Sequence, residues 1–377
     1  MKLLGSLIIL LFPFYQFTQL DLFFGQILPF RLYFYDLILF VFILPHLLKW
    51  IKNRPKNALF KPFIIFSGVC LISLLIALPL FTLITLTLLQ FFTAFLYLLR
   101  FFFVFSLLFV NFSADHKKLF RYILFLIPIS GLLQYFFLPD LRFLKGIGFD
   151  DHLYRLTFPF LDPNYVGAAL SFLFLTILPF WSKKSFKALF ILTSIALVLT
   201  FSRASYISLF SGLAFLFLSS PKTRKTFLPL IAIFAALILL APKPSGQGVN
   251  LLRTYSISSR LLNYQQGLKL SLRNPLTGLG FNTLSTHQNT VTDTISRSSA
   301  GLDNSFLFIL STTGLIGLSA YLYLLYSFFR NSKNLFLKAG LISLITHSFF
   351  NNTLFYIPIL ILLLLSFNFT ERSARSS

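Results

Sequence analysis

The chain has 377 residues, 56% of them hydrophobic and only 11% charged, with a formal net charge of +22. Runs such as 83–110, which contains the single charge Arg100, exceed what a soluble core uses. The basic residues are scattered through short links, which argues against nucleic acid as a partner, and the one cysteine, Cys70, lies inside an apolar run, which excludes an intramolecular disulfide or a thiolate metal cluster.

Apolar segments of spanning length, about 17–25 residues, are expected to be helical at 3–20, 33–49, 62–80, 86–110, 119–138, 164–181, 186–201, 204–219, 226–242, 303–329, 335–350 and 353–369. The fold class read from them is an all-α, polytopic integral membrane protein of twelve spans forming one membrane domain. The first segment has Lys2 ahead of it but no small-residue cleavage site after it, and Gln16, Gln19 and Asp21 end it, so an uncleaved helix is expected. Basic residues test the count. Lys2 comes first, then Lys49, Lys52, Arg54, Lys56 and Lys61, then Lys117, Lys118 and Arg121, then Lys183, Lys184 and Lys187. Lys222, Arg224 and Lys225 follow, then Arg330, Lys333 and Lys338, and finally Arg372 and Arg375. Every second connection is therefore basic, which places both termini in the cytoplasm. This side carries 14 Lys and 6 Arg, whereas the remaining basic positions are 9 Arg and 3 Lys. Lysine follows the ordinary orientation rule. An arginine excess on the opposite side does not, and guanidinium is the planar fork that suits phosphate and carboxylate.

Two outer loops stand out. Residues 139–163 hold Arg142, Lys145, Asp150, Asp151, His152, Arg155 and Asp162. Residues 243–302 are too many for a bare link. Their middle, 259–272, has Leu261, Leu262, Leu268, Leu270 and Leu272 and reads as a short amphipathic helix on the membrane surface, ended by Asn274-Pro275.

Within this frame, Arg203 stands where the seventh helix turns straight back, beside Ser202. It is either a snorkelling anchor or a phosphate clamp at headgroup level. Arg260, flanked by Arg253 and Arg273, falls on one helical face with Tyr264 and Gly267; a solvated loop arginine is the alternative to a second clamp that would stabilise a diphosphate leaving group. The turn 274–280 contains Gly278 and Gly280. Asp303 opens the tenth helix beside Asn304, as an N-cap, a general base, or both. His287 is a second candidate base, whereas His152, His46 and His347 have weaker claims. Asp162 or Asn164 either caps the sixth helix or binds a sugar hydroxyl. Gly314 and Gly317 are expected to permit close helix packing. Arg100, in mid-span, is a pairing charge or lines a cavity. No histidine or carboxylate grouping shows metal-ligand spacing, so no metal and no cofactor are expected.

Ser202-Arg203 at an outer hairpin, Arg260 in the large loop, the 274–280 turn, and Asp303-Asn304-Ser305 followed by Gly314-Leu-Ile-Gly317 occur in that order. Together with Asp162-Pro163-Asn164 they resemble the O-antigen ligase and Wzy-type O-antigen polymerase superfamily over residues 155–330. The resemblance implies a glycosyltransferase of the bacterial inner membrane that works on the periplasmic face. Its donor would be an undecaprenyl-pyrophosphate-linked glycan, its acceptor a glycan or lipid A-core hydroxyl, and its reaction inverting and metal-independent. Arg203 and Arg260 would contact the pyrophosphate, Asp303 or His287 would take the acceptor proton, and Ser202, Arg273, Asn164 and Asn304 would contact substrate. Ligases of this superfamily commonly carry histidine near the position of Asp303, so its presence leans toward a polymerase. The rivals are a membrane transporter of an anion or lipid-linked glycan, which should gather polar residues at the midplane, and a non-catalytic scaffold. No internal repeat supports a transporter.

Overall fold

The computed structural model describes residues 1–377 except 21–29, 79–87, 181–183, 220, 243, 245, 288–300 and 372–377. Lys183, Arg297, Arg372, Arg375 and the end of the long loop lie outside the described residues. Helices α1 (Lys2–Leu11), α2 (Phe34–Lys52), α3 (Phe60–Ile76), α4 (Leu88–Ser106) and α5 (Ala114–Phe137) come first. They are followed by α6 (Pro163–Ile177), α7 (Lys184–Leu199), α8 (Arg203–Ser219) and α9 (Pro221–Leu240). The long loop contributes α10 (Tyr255–Ser271) and the single turn α11 (Leu284–His287), and α12 (Ser305–Asn331), α13 (Leu335–His347) and α14 (Ile357–Glu371) close the chain. Among the described residues there is no strand, only two isolated bridges. Among the described residues, five helices are long and apolar enough to cross a membrane, within 34–52, 90–109, 114–137, 163–180 and 305–331.

Position in the bundle follows from side-chain patterning. Helix α14 is apolar all round, and residues Ile359 to Leu365 are all buried, as expected of a central helix. Helix α2 turns Phe40, Val41, Leu44, Leu48 and Ile51 outward, as a helix at the lipid-facing edge does. Polar side chains set the helix starts: the Ser113, Asp162, Asn304 and Asn334 oxygens accept from the first-turn amides of α5, α6, α12 and α13. Small residues bring α6, α8 and α13 together. A Cβ on Gly212 would lie 2.3 Å from Leu175 and 3.0 Å from the Ala339 carbonyl, so no larger residue fits there.

The glycine turn and the glycines of α12 form one joint. Gly314 interrupts α12 at φ 66°, ψ −166°, a backbone state essentially restricted to glycine. The break frees backbone groups on both sides, and the 274–280 turn satisfies them. Leu279 and Gly280 N–H donate to the Ser311 and Thr312 carbonyls (3.0 and 2.9 Å), and Leu315 N–H donates to Pro275 (2.8 Å). Ser73 Oγ from α3 lies 2.8 Å from both the Thr277 and the Thr312 carbonyls. Gly314 thus serves a loop inserted into a helix rather than helix-on-helix packing.

Arg100 is a pairing charge. Its Nη2 lies 2.7 Å from Asp36 Oδ2, it donates to the Arg31 carbonyl, and its guanidinium stands 4.3 to 5.2 Å from the ring centres of Phe30, Tyr97 and Tyr33. Asp36 also accepts from Tyr15 (3.1 Å), so the charge is enclosed by partners at the N-terminal end of the fold.

Candidate functional site

Six segments line a cavity of about 1040 Å³: the 139–162 loop, the start of α6, the 246–254 loop, the first half of α10, residues 301–303, and the 351–352 turn. Its charged lining sets Arg142, Arg155, Arg253 and Arg260 against Asp150, Asp151, Asp162 and Asp303. A cavity of this size holds a saccharide or a diphosphate headgroup.

The reversal between α7 and α8 organises the arginines. Phe201 takes φ 48°, and the carbonyls that end α7 have no further turn to bond. The Thr200 carbonyl accepts from Arg155 Nε (3.0 Å), and that of Phe201 from Arg155 and Arg253, both at 3.5 Å. Arg253 also donates to the Gly248 and Asn250 carbonyls (2.7 and 2.9 Å). Arg203, the first residue of α8, donates to the Leu251 carbonyl (3.1 Å) and Ser256 Oγ (2.7 Å), which fastens the long loop to the bundle. Arg260 donates to Asn351 Oδ1 at 3.4 Å. The guanidiniums repel one another. Burial, and then the Arg253 charge, brings Arg155 down to about 9, while burial followed by Arg203 and Arg260 lowers Arg253. An anion placed among them would relieve that repulsion.

Asp303 lines the same cavity as Arg260. Its backbone N–H donates to Asn263 Oδ1 of α10 (2.8 Å), and burial raises its carboxyl above the ordinary value, with Arg260 opposing and Asp150 adding to the rise. The expected N-cap role falls instead to Asn304, whose Oδ1 accepts from Phe306 and Leu307 N–H (2.8 and 3.0 Å) while Nδ2 donates to the Phe349 carbonyl (3.2 Å). Asn304 is thereby buried as a cap and is not among the residues that line the cavity. Asx pairs at helix starts leave two residues able to cap, and here the second does so.

Asn164 lines the cavity, but its Oδ1 accepts from Ser202 Oγ at 2.9 Å. Ser202 itself is 0% exposed and bonds to Ser205 Oγ (2.8 Å), which lies 3.3 Å from His347 Nε2. Ser202 is therefore an interior tie and not a contact residue, because the tight reversal turns its side chain toward α6. His287, Arg273 and Arg203 are not among the cavity's lining residues, although Arg203 reaches its wall through Ser256. Arg273 is exposed beyond the end of α10, and 13 residues of helical rise carry it roughly 20 Å from Arg260. His287 sits beside it: burial, then the Arg273 charge, holds its imidazole below the ordinary value, with the Leu279 carbonyl acting the other way.

The loop 139–162 supplies what sequence spacing hid. The Asp140–Leu153 bridge, with Leu141 N–H donating to His152 and Tyr154 N–H to Pro139 (2.9 Å each), folds the loop back on itself. Asp150, His152 and Asp162 then present ligand atoms within 4.8 Å of one another, a grouping that the sequence reading excluded. Asp162 caps α6 through Oδ1, which accepts from Asn164 and Tyr165 N–H (2.6 and 3.1 Å), and burial followed by the Asp150 charge pushes it up to about 6. His152 is 9% exposed, its Nε2 has no partner among the described residues, and burial and Arg155 hold it down to about 3, so it is neutral. Arg155 and Asp162 carried the same loop signal as Arg203, charge at an outer helix end, and were readable on that ground.

Residues 188–322 match the O-antigen ligase family. The match supports the O-antigen ligase/polymerase superfamily. The matched segment contains Arg203, Arg253, Arg260 and Asp303, whereas Asp150, His152, Arg155, Asp162 and Asn164 precede it. A comparison with curated proteins gives no match.

Proposed function

We propose that the cavity transfers a glycan from undecaprenyl pyrophosphate to an acceptor hydroxyl at the outer face of the inner membrane, in a chain that crosses twelve times with both termini cytoplasmic. Arg260 and Arg253 in the cavity neutralise the diphosphate, with the loop-fastening Arg203 adding its charge from behind Ser256. Asp303 takes the proton of the acceptor hydroxyl as its oxygen bonds to the anomeric carbon with inversion. The bond from that carbon to the diphosphate oxygen breaks, and undecaprenyl pyrophosphate departs. The arginines supply the leaving-group stabilisation, so the step itself uses no metal. The observation that carries this reading is that Arg260 and Asp303 face one cavity while His287 does not. Burial lifts the Asp303 carboxyl toward the range in which a base works best.

Arg260→Ala and Asp303→Asn should each abolish assembly of surface polysaccharide in a deletion strain complemented with the variant, with the protein still present in the membrane. Normal polysaccharide in both would refute the assignment. The glycan profile of the deletion strain separates the two reactions, since a single retained unit means polymerase and complete loss of attached chains means ligase.

A further inference from the structure

We propose that Asp150, His152 and Asp162 form a binding site for a divalent transition-metal ion, which fastens the 139–162 loop to the start of α6. The three donor atoms lie within 4.8 Å of one another. Around an ion with bonds of about 2.0–2.2 Å, ligand atoms stand roughly 3–4 Å apart, and a small rotation of the exposed Asp150 side chain closes the difference. Two carboxylates and an imidazole form a mixed oxygen–nitrogen set that suits zinc or manganese better than an all-oxygen preference such as that of calcium.

Two further observations point to a ligand here. His152 is nine-tenths buried, yet its Nε2 has no hydrogen-bond partner among the described residues, an arrangement that native interiors rarely leave unexplained. Asp162 takes both cap hydrogen bonds on Oδ1, which leaves Oδ2 for an ion. The backbone already holds two of the three donors in place. The His152 carbonyl is tied to Leu141 N–H at 2.9 Å, and Asp162 is fixed by the helix that it caps. The surrounding charge does not forbid a cation, because the cavity's four arginines face four aspartates and Arg142 is already paired with Asp140 at 2.6 Å.

The ion fastens the loop and takes no part in the transfer step proposed above, so the two stand or fall separately. The full chain, purified in detergent and stripped with chelator, is dialysed against Zn²⁺ and, separately, Mn²⁺, and the bound metal is measured. One ion per chain is expected, together with a rise in melting temperature when metal is restored. His152→Ala and Asp162→Asn should each weaken binding by at least about tenfold. Asparagine keeps the α6 cap, so the second variant tests the ligand without removing the cap. Asp150→Asn, at an exposed position, should weaken binding likewise, whereas Asp151→Asn, which removes a nearby charge and the 3.4 Å contact with Lys145 but none of the three donors, should bind more tightly than any ligand variant. Absence of stoichiometric metal on the wild-type chain would overturn the proposal. Undiminished binding in the three ligand variants would also overturn it, as would an equal loss in Asp151→Asn.

Discussion

Gly314→Ala tests whether the 274–280 turn and the broken α12 are one joint. At φ 66°, ψ −166°, an alanine is strained by about 1–3 kcal/mol. Its Cβ would also stand 2.2 Å from the Leu276 carbonyl oxygen and 2.3 Å from its carbon, so the turn must move as a unit. Overpacking of that kind adds about 1–3 kcal/mol. Moving the turn stretches the hydrogen bonds from Leu315 to Pro275 and from Gly280 to Thr312, 2.8 and 2.9 Å long, which hold the broken helix closed. The total, about 2–6 kcal/mol, is large against ordinary stabilities. Gly68→Ala is the control: it lies in α3, and an added Cβ meets nothing within 4 Å. Replacing a mid-helix glycine there should gain about 0.5–1 kcal/mol. Thermal unfolding of the purified chain in detergent should therefore move the two melting temperatures in opposite directions. A Gly314→Ala protein melting at or above wild type would refute the joint, and with it the claim that the turn satisfies the backbone freed in α12.

Three other outcomes follow from the same contacts. Asn304→Ala should cost about 1 kcal/mol by uncapping α12, and Asn304→Ser should recover most of it in the same melting assay. Arg100→Ala should cost about 3–5 kcal/mol by leaving Asp36 buried without its cation, whereas pairing it with Asp36→Leu should restore much of the loss. The raised carboxyl of Asp303 predicts an acidic limb of the transfer rate lying above the ordinary aspartate range, measured as rate against pH. The same shift means that the folded chain holds this proton more tightly than the unfolded one, so its contribution to stability is greatest at low pH and is lost as pH rises through the folded value. Asp303→Asn should flatten that slope.

The helical segments were readable because a membrane solvent makes apolar length the dominant signal, and each expected span contains a helix of the structure over most of its length. Residues 259–272 were expected to be helical, and α10 does run from Tyr255 to Ser271 with Arg260 and Tyr264 half-buried and Gly267 buried. What was not readable depends on contacts distant in sequence. Whether Asp303 or Asn304 caps α12 is decided by Asn263, which holds the Asp303 amide from 40 positions away. His287 stood as a second candidate base in the loop before Asp303, yet the joint at Gly314 ties the 274–280 turn ahead of it to α3 and α12. Asp150, His152 and Asp162 have no recognisable spacing, since a backbone bridge at Asp140–Leu153 and a helix cap bring them together.

The arginine excess that marked the outer side does not mean that every arginine awaits an anion. Arg142 is paired with Asp140, and Arg100 with Asp36. Arg155 and Arg253 are engaged by the carbonyls of the α7–α8 reversal, and Arg203 by Leu251 and Ser256. These contacts are to neutral acceptors, so they hold the guanidiniums in place without cancelling their charge. That is what a preorganised anion site requires, because donors already fixed need no reorganisation when charge develops on a leaving group. Arg260 differs from its neighbours in donating one long bond, 3.4 Å to Asn351, from a half-buried position on α10. It is therefore the arginine best able to turn onto an incoming diphosphate, with Arg155 and Arg253 supplying fixed field behind it. The ordering of effects follows: Arg260→Ala should abolish transfer through lost contact, whereas Arg155→Ala should first loosen the reversal at Thr200 and Phe201 and lower the melting temperature. A variant at Arg155 that melts normally but transfers nothing would reverse that assignment and make Arg155 the contact residue.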